Sequence, residues 1–169
     1  LEMHGKTLAK SNRRIVCITY TNVAKHEIKG RINDDPLVEV LTIHEFLWQV
    51  IQSFQAELRE QVLLFNADLG EKTIPDLLLD GLKIEYWDYP RKLQEGKLGH
   101  DDIIEFSSRL FQNCPKVARI VADRYPYFFV DEYQDTHPRT VELILDSLVN
   151  PSKGKTVVGF FGDAIQKIY

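Results

Sequence analysis

The chain has 169 residues, 44% of them apolar and 27% charged, with a formal net charge of −4, the make-up of one globular domain large enough to bury a core. No stretch approaches the roughly 18 apolar residues that cross a bilayer, and no basic-then-apolar leader opens the chain, so neither a membrane span nor secretion is expected. Cys17 and Cys114 are too few for a disulfide framework, which suits a reducing, cytoplasmic setting.

In chain order, Ile15 to Tyr20 is an apolar run of strand length, rich in β-branched residues. Thr21-Asn22 can cap a helix in which Ala24, Ile28 and Ile32 recur at helical spacing, and Asn33-Asp34-Asp35-Pro36 ends it. Val38–Leu41 reads as a short strand. Thr42 and Glu45 have capping-box spacing ahead of an amphipathic stripe of Phe46, Leu47, Val50, Ile51, Phe54 and Leu58. Residues 62–100 are less regular, punctuated by Gly and Pro, with Leu82, Ile84 and Tyr86 alternating as a short strand would, and 55–99 read as an inserted lobe. Trp87 and Tyr89 lie there, and packing or a partner is their expected use. Helices follow near Asp101–Phe111 and Pro115–Tyr125, then an apolar strand, Tyr127–Val130. Pro138 suits the first turn of a helix reaching about Val149, and Thr156–Phe161 is the last strand, with Phe160 and Phe161 expected in the core. Apolar strands alternating with amphipathic helices predict an α/β fold with a mostly parallel sheet covered on both faces.

The charge is unevenly placed. Residues 1–31 carry Lys6, Lys10, Arg13, Arg14, Lys25, Lys29 and Arg31 against Glu2 and Glu27, a local +5, which leaves −9 on the rest. A basic face on an acidic body suits contact with a polyanion.

The strongest chemical signal is Val130-Asp131-Glu132-Tyr133-Gln134-Asp135-Thr136. Two carboxylates leaving the carboxyl end of a buried parallel strand stand where ligands bind in open α/β sheets. Asp131 can serve Mg²⁺, a hard cation that takes oxygen ligands, and Glu132 can orient and deprotonate a water for attack on a phosphoryl group. The plain alternative is a loop start and a helix cap.

This segment resembles motif II of the UvrD/Rep class of superfamily 1A DNA helicases. Three further segments resemble that family's motifs in the same order. Ile18-Thr19-Tyr20-Thr21-Asn22-Val23-Ala24 is similar to motif Ia, Thr42-Ile43-His44-Glu45-Phe46 to motif Ib, and Gly162-Asp163-Ala164-Ile165-Gln166-Lys167-Ile168-Tyr169 to motif III, with Lys167 where the family usually has Ser. The resemblance implies an incomplete RecA-like P-loop NTPase domain with a largely helical insertion: residues 1–54 and 100–169 as the RecA-like part, 55–99 as the inserted lobe. It implies ATP and Mg²⁺ as cofactors, single-stranded DNA as partner, 3′–5′ movement and a DNA-repair setting. Residue by residue, Asp131 would serve Mg²⁺, Glu132 the attacking water, and Gln166 the γ-phosphate. Thr21, Asn22, Thr42, Ile43 and His44 would line the strand's track, and Tyr169 would stack on a base.

The family's GxxxxGK[ST] phosphate loop has no counterpart here. Gly5-Lys6-Thr7 lacks room for the first Gly and its strand, and Gly154-Lys155-Thr156 precedes a strand instead of following one. The expectation is therefore a piece of a longer helicase, inactive by itself, whose partners include the segment bearing the phosphate loop and the second motor domain. Two other readings stand beside it: a non-catalytic DNA- or protein-binding module derived from such a domain, and a metal-dependent phosphohydrolase using Asp131, Glu132 and Asp135.

Overall fold

In the computed structural model, which describes residues 5–135, 138–150 and 155–162, a short helix α1 (Gly5–Lys10) leads into strand β1 (Ile15–Thr19). Val16, Ile18 and Thr19 of β1 are buried. Helix α2 (Asn22–Arg31) starts where Thr21 accepts the Ala24 N–H in its Oγ1 at 3.1 Å, the bond expected of an N-cap. Strand β2 (Val38–Thr42) runs straight into helix α3 (Ile43–Ile51), whose Phe46, Leu47, Val50 and Ile51 are buried on the predicted stripe, with Ile43 buried beside them.

Helix α4 (Gln55–Ala67) opens the irregular stretch. The strand expected over Leu82, Ile84 and Tyr86 reduces to β3 (Glu85–Tyr86), paired in parallel with β4 (Lys97–Leu98). Much of this stretch is held by side-chain amides instead of ladders. Gln55 accepts the Ile84 N–H at 2.8 Å and donates to the Ile84 carbonyl at 3.1 Å. Asn66 does the same for Ile74 at 2.9 and 3.0 Å. Trp87 is half-buried, its ring 4.6 Å from the Lys97 ammonium and 4.8 Å from the Tyr89 ring, while Tyr89 is exposed. Helix α5 (His100–Asn113) follows.

The chain returns through α6 (Pro115–Arg124) to β5 (Tyr127–Val130). Helix α7 (Pro138–Glu142) starts at Pro138 as expected, and the helical run continues with π-type winding through Val149. Strand β6 (Val157–Phe160) is last. Phe161 departs from the expected core position: it lies past the strand end and is 55% exposed.

Two compact units result: residues 1–46 with 116–169, and residues 47–115, which contain the 55–99 stretch together with flanking helical segments. The first unit holds a four-stranded parallel sheet in the order β2-β1-β5-β6. Phe46 packs edge-on against Tyr125 and Phe128 at 5.5 and 5.1 Å, geometry that aromatic quadrupoles favour. The molecule is thus α/β with helices flanking a parallel sheet, a RecA-like arrangement, and the second unit carries the further helices α4 and α5.

Candidate functional site

Strand order and register decide where the site lies. From β1 the chain crosses to β2 on one side, and from β5 it crosses to β6 on the other. β1 and β5 therefore flank a topological switch point, and the crevice beyond their carboxyl ends is the place where such sheets bind ligands. In the ladder Ile18 lies beside Val130, Thr19 beside Thr42, and Val130 beside Phe160. Consequently Thr21-Asn22, Thr42-Ile43-His44, Asp131-Glu132 and Phe161-Gly162 all emerge along one edge. Residues more than a hundred positions apart are brought together by parallel pairing alone.

Asp131 is fixed by its N–H, which donates to the Ile18 carbonyl at 2.9 Å. Glu132 follows with φ +51°. Among the described residues, the other non-glycine positions with positive φ are Asn12, Asn33, Asp34 and Asp76, types whose short polar side chains tolerate that region. Glu132 has no such excuse, and a conformation of this kind is stored chiefly at functional sites. Its carboxylate Oε2 accepts a hydrogen bond from Gln134 Nε2 at 2.5 Å. Gln134 was not among the expected site residues; its signal is its place two residues after the Glu, on a single 3₁₀ turn, Tyr133–Asp135. Cys17, on β1, feels the same corner: burial and then the charge of Asp131 push its thiol up to about 11.

Across the edge, Thr42 and Glu45 form the expected capping box: Thr42 N–H donates to Glu45 Oε2 at 2.8 Å and Glu45 N–H to Thr42 Oγ1 at 3.3 Å. Lys25 joins it, with Nζ at 2.7 Å from both Glu45 oxygens. Burial pushes the Glu45 carboxyl up, but the bonds from Lys25 and Thr42 outweigh it and hold the group below the usual carboxylate range. Thr21 and Asn22 are exposed, His44 is half-buried, and Ile43 is 7% exposed, so Ile43 offers the edge its backbone and little else. Tyr20 and Val23, 57% and 78% exposed beside Thr21 and Asn22, are apolar surface that sequence reading passed over. The signal was there: a strand whose last aromatic runs beyond its buried partners. Gln166 and Tyr169 lie outside the described residues, and so do Asp163 and Lys167.

The basic N-terminal segment is divided by the fold. Arg13 and Arg14 enter β1 at the sheet edge opposite the carboxylates, and Arg14 pairs with Glu39 at 3.2 Å. Lys25 is engaged by Glu45, and Arg31 by Glu27 at 2.6 Å. The run of positive charge in sequence is therefore not one positive face. Among the described residues, no group of three or more His, Cys, Asp or Glu could hold a metal ion by itself.

Comparison with known proteins places these features in context. The family model described as "UvrD/REP helicase N-terminal domain" matches residues 82–169, just over half of the chain. Gabija protein GajB of Bacillus cereus is 23% identical over 256 residues, covering 98% of this chain and 37% of that protein. The ATP-dependent DNA helicase PcrA of Bacillus subtilis is 35% identical over 85 residues, covering 50% of this chain and 11% of that protein. PcrA of Staphylococcus aureus matches to the same extent. The aligned region thus spans little more than a third of GajB and about a tenth of PcrA.

Proposed function

The chain belongs to the UvrD/REP helicase N-terminal domain family, and on that premise we propose that it is part of an ATP-dependent 3′–5′ translocase motor acting on single-stranded DNA in the cytoplasm. The observation that carries the reading is the convergence of Asp131-Glu132, Thr21-Asn22 and Thr42-His44 on one edge of the sheet, at its switch point.

In this reading the carboxylate of Asp131 holds Mg²⁺. The donor set fits: Mg²⁺ keeps several waters and takes one or two carboxylates beside substrate phosphates, so it needs no all-protein cage. The metal, when bound, supplies charge to neutralise the phosphates. Glu132 accepts a proton from the water that attacks the γ-phosphoryl group. Gln166, from its place in the motif, reports the state of that phosphate to the DNA track. Along the track, Thr21 uses a lone pair for its cap and keeps its own hydrogen to donate to a phosphate. The first N–H groups of α2 and the helix dipole favour the same anion. The exposed ring of Tyr20 offers a base-stacking surface, and Tyr169 another, a contact tolerant of sequence.

The stretch 1–54 with 100–169 would form the motor core and 55–99 its lobe. The remainder of the parent supplies the phosphate loop and the second motor domain, so this stretch alone is expected neither to hydrolyse ATP nor to unwind DNA.

The test is single-strand-stimulated ATP hydrolysis by the full-length parent, wild type beside Glu132→Gln. Turnover should fall by at least about 10²-fold, the low end for loss of a general base. A parent that binds single strands and never hydrolyses ATP would instead be a binding module. Mg²⁺-dependent cleavage without ATP would make it a phosphohydrolase.

A further inference from the structure

The Gln134 amide is bonded on one side and enclosed on the other. Its Nε2 donates to Glu132 Oε2 at 2.5 Å. Its Oε1 is buried without a hydrogen-bond partner among the described residues, and a buried unpaired acceptor persists when something else fixes the group. Turning the amide over would set Oε1 against the carboxylate, so the contact with Glu132 dictates the orientation. The slot that receives the amide is made by Gly162. A Cβ there would stand 2.1 Å from Gln134 Oε1, 3.3 Å from its Cδ and 3.1 Å from the Tyr133 nitrogen. The slot is tied to both strands: Tyr133 N–H donates to the Phe161 carbonyl at 2.9 Å, and Phe161 N–H to the Val130 carbonyl at 2.8 Å. The residue so held, Glu132, already has a left-handed backbone.

From this juxtaposition we infer that Gln134 is a positioning residue, aiming the Glu132 carboxylate at the attacking water, and that Gly162 is glycine because the Gln134 amide occupies the place of its side chain. The inference rests on Glu132 being the base. A carboxylate on a turn has several rotamers, and only those pointing at the water are useful. A misplacement near 1 Å can lower a rate by about 10²-fold. A methyl at residue 162 has one inexpensive escape, displacement of the flexible amide, and that displacement breaks the bond to Glu132. The end of β6 thereby reaches the base through one side chain.

The experiment measures single-strand-stimulated ATP hydrolysis by the full-length parent at saturating DNA, with kcat and KM for ATP separated. Gln134→Ala and Gln134→Met (equal in length, without an N–H) should each lower kcat by about 10- to 100-fold, with KM within about 2-fold. Gly162→Ala should lower kcat to a similar degree. The Gln134→Ala/Gly162→Ala double variant should be no worse than either single, since the bond is already gone and the methyl then meets only the Tyr133 nitrogen at 3.1 Å. In a Glu132→Gln background, Gln134→Ala should change nothing further. Wild-type kcat in Gln134→Met, or losses that multiply in the double variant, would overturn the assignment while an inactive Glu132→Gln left the base intact. Full turnover in Glu132→Gln would overturn both. A purely structural part for Gln134 predicts parallel losses in thermal stability and in KM, which the kcat-only pattern excludes.

Discussion

At Glu132 the chain holds a conformation that its residue type disfavours, φ +51°, and the site's chemistry depends on that side chain. Glycine would relax the backbone but remove the carboxylate, so stability and activity are opposed at one position. Glu132→Gly and Glu132→Ala both delete the carboxylate, yet only Gly escapes the left-handed penalty. A penalty of about 1–2 kcal/mol, less the entropy that Gly loses on folding, should make Glu132→Gly the more stable by about 0.5–1 kcal/mol. Thermal melts of the two variants check this; equal melting temperatures would mean the backbone at residue 132 carries no strain. Cys17 supplies a second residue-scale test. With its thiol pushed up to about 11 by burial and by Asp131, its thiolate fraction at pH 8 is roughly 10²-fold below that of an ordinary thiol. Alkylation of Cys17 in the native protein should be slower by at least that factor, read by mass spectrometry. The motif announced Asp131 and Glu132 in the sequence; it did not announce the left-handed turn or the amide of Gln134, because both depend on what β6 brings alongside.

Single elements are held by their ends. The Thr42–Glu45 box joins β2 to α3 without a linker, and Lys25 ties α2 to it. Loss of the Thr42 hydroxyl leaves a helix N–H without its cap, so Thr42→Ala should destabilise by about 0.5–2 kcal/mol. Glu45 sits below the usual carboxylate range once folded. A depressed acid stabilises above its unfolded pKa, near 4.3, and loses that contribution as pH falls through the folded value. The melting-temperature gap between wild type and Glu45→Gln should therefore be full near pH 6 and shrink below about pH 4. In the second unit, Asp102 accepts the Gly99 N–H at 2.8 Å and pairs with Arg91 at 2.9 Å while buried. Capping spacing made α3 readable in advance. The lobe was not, because Gln55 and Asn66 hold their segments by side-chain amides, which follow no period.

For the whole molecule, charge is the clearest lesson. Seven basic residues in the first 31 suggested one positive face, but the chain enters β1 at one edge of the sheet and leaves it at the other. Neutralising Arg13 and Arg14 together in the full-length parent should leave the slope of log affinity against log salt for single strands unchanged. Removing a true phosphate contact would flatten it by about 1. A flattened slope in Arg13→Ala/Arg14→Ala would put DNA at the wrong end of β1. Legible in the chain were the strands and helices around the sheet, the parallel α/β class, the ordered motifs and the two acidic residues, since hydrophobic period, caps and motif spacing are local properties. Tertiary structure decided which residues meet. Parallel register set Thr42 beside Thr19 and Val130 beside Ile18, scattered the basic run to opposite edges, and placed Gly162 against Gln134. Those pairings join positions far apart in the chain, and only packing into one sheet chooses them.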